Sequence, residues 1–164
     1  MSVSSEPGVG TTFRLYFPTT DQPTTTLMLA PTTFDVGRGE TILVVEDEPA
    51  VLALTARILR QEGYQVLEAQ TYEDAVEIAS TYKFSLLLTD SVMPTVSGSV
   101  LAQHILTIKP GTPVLFMSGY SAGVIAPLGL LGAALIEKPF DRHTLITAVQ
   151  TALDRPLASA STDP

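Results

Sequence analysis

No cysteine occurs in the 164 residues. That excludes a disulfide framework, a thiolate metal site and a cysteine nucleophile, and it makes a reducing cytoplasm the natural compartment. Basic residues are scarce: Lys and Arg total 9 against 17 Asp and Glu, a formal net charge of -8. Phosphate neutralisation needs basic clusters, so nucleic acid is not an expected partner. Long apolar runs are also missing. The most apolar segment, Gly123 to Ile136, is interrupted by Pro127, Gly129 and Gly132 and falls short of the ~20 residues of a spanning helix. The start, Met1-Ser2-Val3-Ser4-Ser5-Glu6, lacks the basic and apolar regions of a signal peptide. The expectation is a soluble cytoplasmic chain without membrane contact, long enough for one domain with a core and some extra.

What is present falls into two parts. Glu6-Pro7-Gly8-Val9-Gly10 is turn chemistry, and Phe13, Leu15 and Phe17 then alternate with polar neighbours at strand period. Residues Ser5 to Phe17 therefore read as a hairpin, marginal by itself in water. Thr, Pro and Gly fill the stretch from Pro18 to Gly39, the composition of a linker. From Glu40 apolar runs alternate with amphipathic stretches, the pattern of a parallel sheet wound with helices.

The expected strands are Thr41 to Val45, Tyr64 to Ala69, Phe84 to Thr89, Pro113 to Met117 and Ala134 to Glu137. Between them, Pro49 suits the first turn of a helix to about Glu62 that buries Val51, Leu54, Ile58 and Leu59. Thr71 and Asp74 form a capping box for a helix burying Ala75, Ile78 and Ala79. A third helix runs from Gly98 to Lys109, a weakly helical crossover spans Gly119 to Gly132, and Asp141 caps the last helix. The result is a (βα)5 doubly wound, five-stranded parallel sheet followed by a frayed tail after Arg155. His104, His143 and Tyr72 read as surface and packing residues. The crossover from Val124 to Leu131 reads as core-facing, with a dimerisation face as the alternative.

In such sheets ligands bind at the carboxyl ends of the strands. Glu46 and Asp47, Asp90, Ser118 and Lys138 all fall there. Three carboxylates a few ångströms apart repel by ~4 kcal/mol per pair at an effective dielectric near 20, unless a cation sits among them. A hard divalent ion, Mg2+, meets that need. Asp90 is then placed to attack phosphorus and form an aspartyl phosphate, with Lys138 and Ser118 serving other phosphoryl oxygens.

These residues sit in motifs: Ile42-Leu43-Val44-Val45-Glu46-Asp47-Glu48-Pro49, Leu88-Thr89-Asp90 with Met93-Pro94 and Gly98, Met117-Ser118-Gly119-Tyr120, and Glu137-Lys138-Pro139-Phe140. In that order the segment 40–155 resembles the receiver domain of two-component response regulators. The resemblance implies a flavodoxin-like receiver fold. It implies Asp90 as phosphoacceptor, with Asp47 and Asp90 as direct Mg2+ ligands, Glu46 acting through water and the Val92 backbone carbonyl completing the set. It also implies Ser118 as the switch hydroxyl and Lys138 as the residue that reports the phosphoryl group. The expected phosphodonor is a histidine kinase or a histidine phosphotransfer domain, and a homodimer is a further expectation.

Residues 1–18 separately resemble the closing hairpin of a sensor histidine kinase ATP-binding domain. The whole chain is thus similar to the carboxyl-terminal part of a hybrid histidine kinase: hairpin 1–18, linker 19–39, receiver 40–155 and tail 156–164. The phosphodonor histidine motif and the nucleotide-binding residues are missing, so no kinase activity is expected, and neither is a DNA-binding output domain. Thr95 stands where the family usually has Gly, and Leu135 where it often has an aromatic. Val92 and Tyr120 are bulky where a polar side chain could orient an attacking water, which implies slow self-dephosphorylation. A hydrolase working through an aspartyl phosphate needs a second acid at the position of Val92. A dinucleotide-binding fold needs glycines after its first strand, and an interaction-only pseudo-receiver would lose Asp47, Asp90 and Lys138, which are present here.

Overall fold

The computed structural model describes residues 1–17, 39–119 and 133–154. The chain divides into two compact units, Met1–Phe34 and Asp35–Pro164. The first holds an antiparallel hairpin of β1 (Ser2–Glu6) and β2 (Gly10–Arg14), turned at Gly8 with a φ of 81°. Direct pairs run from Ser2↔Arg14 to Glu6↔Gly10. The last pair is Ser2↔Arg14, so β2 stops at Arg14, earlier than the alternation of Phe13, Leu15 and Phe17 suggested. All ten strand residues are exposed.

The second unit is a wound α/β sheet. Its strands are β3 (Thr41–Val45), β4 (Gln65–Ala69), β5 (Leu86–Asp90), β6 (Val114–Ser118) and β7 (Ala134–Glu137), parallel and ordered β4-β3-β5-β6-β7. Four helices are described: α1 (Pro49–Gln61), α2 (Tyr72–Thr81), α3 (Gly98–Ile108) and α4 (Arg142–Leu153). The expected helix within 119–132, including Tyr120 and the apolar stretch 124–131, lies outside the described residues. So do most of the linker and the tail.

Every residue of β5 and β6 is buried, the condition of central strands covered on both faces. On one face Ala75 and Ala79 of α2 and Leu101, Ala102 and Ile105 of α3 pack with Leu43, Val45, Leu87 and Phe116. Alternation along the strands sends Ile42, Val44, Leu86 and Leu88 to the other side, where the remaining buried helix residues, Leu52, Ala56 and Leu59 of α1 and Leu145, Ile146 and Val149 of α4, belong.

Local signals set the helix starts. Thr71 accepts from the Asp74 N–H at 3.1 Å, and Asp141 accepts from the Thr144 N–H at 2.8 Å, each satisfying a donor that the first helical turn leaves over. Those bonds from Thr144 hold the exposed Asp141 carboxyl below the usual carboxylate range.

The buried stripe of α1 departs from the sequence expectation. Leu54 is 58% exposed, and the buried set is Leu52, Thr55, Ala56 and Leu59. Both stripes have helical spacing. The buried one places small Ala56 and Thr55 against the sheet between two leucines, a closer approach than the bulkier set would permit.

Candidate functional site

The site forms where β3, β5, β6 and β7 end. Glu46 and Asp47 follow the last residue of β3, and Pro49 at the first position of α1 turns the chain away at once. Asp90 is the last residue of β5, one position later than the expected end of that strand. Ser118 is the last residue of β6 and pairs with Glu137 of β7, which places Lys138 next. The Lys138 N–H donates to the Ser118 carbonyl at 2.6 Å, and the Lys138–Pro139 peptide is cis.

Carboxylate oxygens of Glu46, Asp47 and Asp90 all lie within 4.8 Å of one another. Glu46 and Asp90 are only 2% and 9% exposed, and Asp47 is the most open of the three. Among the described residues one cation answers them: the Lys138 ammonium donates to Glu46 Oε2 at 2.6 Å and to Asp90 Oδ2 at 3.0 Å. The other Asp90 oxygen, Oδ1, accepts from the Val92 N–H at 3.2 Å. Three formal negative charges against one positive leave the cluster with two in excess, a match for one divalent ion.

Burial is the largest influence on the Glu46 carboxyl and raises its pKa. The Lys138 hydrogen bond and charge oppose this only in part, while the Asp90 charge adds to it. For Lys138, burial alone would lower the pKa. The hydrogen bonds and charges of Glu46 and Asp90 together outweigh it, and the ammonium is held above its ordinary range. Lys138 is therefore charged throughout the neutral range.

The structure thus brings together Glu46, Asp47, Asp90 and Lys138. It seats Ser118, 1% exposed, at the adjacent strand end, and brings the Val92 backbone to Asp90, while the Val92 side chain faces solvent. Thr95 is exposed, and Leu135 is half-buried on β7. Gly98 has a steric duty that the motif alone did not explain. A Cβ there would sit 1.9 Å from the Asp90 carbonyl oxygen, so the start of α3 approaches the backbone of Asp90 as only glycine allows.

Tyr72 packs as expected, while the surface reading of His104 is corrected. The Tyr72 hydroxyl and His104 Nδ1 share a hydrogen bond of 2.5 Å, and the rings stack with centroids 5.7 Å apart. The pair joins α2 to α3 and is half-buried. It bridges 32 positions of sequence, out of reach of any local pattern. Among the described residues no helix is long and apolar enough to cross a membrane.

The comparisons converge on one family. The sensor kinase CckA of Brucella abortus (strain 2308) is 30% identical over 163 residues, an alignment covering 92% of this chain and 17% of that protein; the chain thus spans well under a quarter of that relative's length. The crystal structure of a receiver domain from the hybrid histidine kinase CckA is 37% identical with a TM-score of 0.60, covering 69% of this chain and 98% of that one. The response regulator protein TrrA from Thermotoga maritima, solved in complex with Mg2+-BeF, is 27% identical with a TM-score of 0.64, covering 70% and 99%. Residues 42–150 match the family model of the response regulator receiver domain, the stretch that carries all four strand-end groups, and the chain belongs to that family.

Proposed function

We propose that this chain accepts a phosphoryl group on Asp90, from a phosphohistidine of a histidine kinase or a histidine phosphotransfer domain, and passes the change on through protein contacts. The carrying observation is the Lys138 ammonium bridging Glu46 Oε2 and Asp90 Oδ2 at the rim of a three-carboxylate cluster. Membership of the receiver family supports the reading.

The donor set suits Mg2+: all oxygen, and two charges short of neutral. Two oxygens on one Mg2+ stand at most about 4.2 Å apart, twice the usual Mg–O distance, and this cluster spans up to 4.8 Å. Asp47 and Asp90 would be direct ligands with the Val92 carbonyl, and the buried Glu46 would act through water. The Mg2+-BeF complex of TrrA, about a quarter identical to this chain, supports that assignment. When bound, Mg2+ supplies charge neutralisation to phosphoryl oxygens.

The chain's own residues do the rest. The Asp90 carboxylate attacks phosphorus in line; a P–O bond forms as the P–N bond to the donor imidazole breaks, and the imidazole leaves with a proton from solvent. Lys138 exchanges its contact with Asp90 Oδ2 for one with a phosphoryl oxygen, keeping its partner Glu46. Ser118 donates its hydroxyl to another oxygen. The chain is a phosphoacceptor with no kinase activity, and its setting is the cytoplasm. The hairpin 1–18, the linker 19–39, the receiver 40–155 and the tail 156–164 correspond to the end of a hybrid kinase.

Intact mass after incubation with acetyl phosphate and Mg2+ tests the reading. One added phosphoryl group is expected, absent from Asp90→Ala and from a magnesium-free sample. A folded wild-type protein that gains no mass overturns it.

A further inference from the structure

The backbone of Asp90 is fixed unevenly. Toward β6 the ladder continues past it, with Asp90 opposite Met117 and the Ser91 N–H donating to the Met117 carbonyl at 2.8 Å. Toward β3 the pairing ends one residue earlier, at Val45↔Thr89. The Asp90 carbonyl therefore lies beyond the last pair on that side. Thr89 supplies a donor: its hydroxyl, in a fully buried side chain, donates to the Asp90 carbonyl at 3.1 Å. Gly98 closes on the same oxygen from the start of α3, and its N–H donates to the Ser91 carbonyl at 3.2 Å.

We propose that Thr89 is a positioning residue for phosphoryl acceptance: its hydroxyl, with Gly98 behind the same carbonyl, fixes the Asp90 peptide and hence the aim of the carboxylate. The inference rests on Asp90 being the phosphoacceptor. A carboxylate hangs from its backbone by two torsions, so a tilt of that peptide moves both oxygens and the Val92 N–H that meets Oδ1 at 3.2 Å. Misplacement on the scale of 1 Å is enough to slow an in-line displacement strongly. Valine at 89 would match the shape and pack as well, so the hydroxyl serves something other than packing. The neighbouring Ser91 hydroxyl is also buried but bonds no protein group among the described residues, so it does not share this duty.

The test measures the initial rate of phosphorylation by acetyl phosphate per folded molecule, over a range of Mg2+ concentrations, with beryllofluoride affinity as a readout independent of turnover. Thr89→Val is expected to lower the rate about tenfold, the lower end for residues that orient ligands from behind, and to weaken beryllofluoride binding in parallel. Thr89→Ser, which keeps the hydroxyl, should recover most of both. Ser91→Ala should leave both near wild type. If Thr89→Val does not fold, Thr89→Ala removes the same hydroxyl and carries the same expectation. A Thr89→Val protein with wild-type rate and beryllofluoride affinity, or one whose loss Thr89→Ser fails to recover, overturns the inference. If wild type itself gains no phosphoryl group, the phosphoacceptor reading fails instead, and this inference falls with it.

Discussion

Replacing Lys138 by Met keeps the apolar stem and removes one charge, leaving Glu46 and Asp90 facing each other in a largely buried site. With Nζ at 2.6 and 3.0 Å from the two carboxylates, each contact carries about 6 kcal/mol of gross attraction at an effective dielectric near 20. Desolvation offsets most of that, yet removing one partner of a buried pair typically costs about 3–5 kcal/mol, because a charge is left without compensation. A loss of that size is a large share of the roughly 5–15 kcal/mol that holds a domain folded. Urea unfolding at neutral pH without divalent ions reads it directly. Added Mg2+ should stabilise the variant more than the wild type, since the cluster has lost its own cation. The pH dependence has a defined sign. Burial already raises the Glu46 pKa against the opposing Lys138, so the variant's deficit is greatest at neutral pH and shrinks as the pH falls and Glu46 takes up a proton. The raised Lys138 pKa contributes stability that is complete below the ordinary lysine value and is lost as pH rises through its folded value, a loss the variant lacks. A destabilisation under about 1 kcal/mol, the value of an exposed pair, with no added response to Mg2+, would refute the reasoning.

On α1, Leu52→Ala should cost about 2–5 kcal/mol, whereas Leu54→Ala should stay within about 0.5 kcal/mol; thermal melts of the two distinguish the stripes. Gly98→Ala forces a Cβ into the Asp90 carbonyl and should destabilise by about 1–3 kcal/mol while slowing phosphorylation, seen by melting and by intact mass. With Val92 apolar and exposed two residues after Asp90, the proposed phosphoacceptor, no polar side chain at position 92 aims a water at a phosphoryl group there; its lifetime in the isolated chain should run well beyond seconds, and decay within seconds would contradict this.

Strands β3, β5, β6 and β7 were legible because each is a short aliphatic run that ends on or runs straight into a polar group, and the strand-end positions followed from those runs. Glu46, Asp47, Asp90 and Lys138 meet because parallel strands share one carboxyl edge, a property of topology that alternating sequence patterns report well. The phase of α1 was legible only at Leu59, expected and found buried: Val51, Leu54 and Ile58 keep helical spacing as faithfully as Leu52, Thr55 and Ala56, and only packing against the sheet decides between them. The Tyr72–His104 pair and the closeness of Gly98 to Asp90 depend on how separate elements meet in space. Local periodicity carries no record of either.

Glu46 and Lys138 are 92 positions apart, and Lys138 follows β7, which pairs only with β6 at the border of the sheet. During synthesis at about 5–20 residues per second, the carboxylates leave the ribosome several seconds before the lysine that answers them. A nascent chain in that interval holds Glu46 and Asp90 without their ammonium, and β6 has an open side. The four-residue cluster is therefore complete only once Lys138, just past β7, has emerged, so a chain that stops short of β7 lacks the ammonium that bridges Glu46 and Asp90.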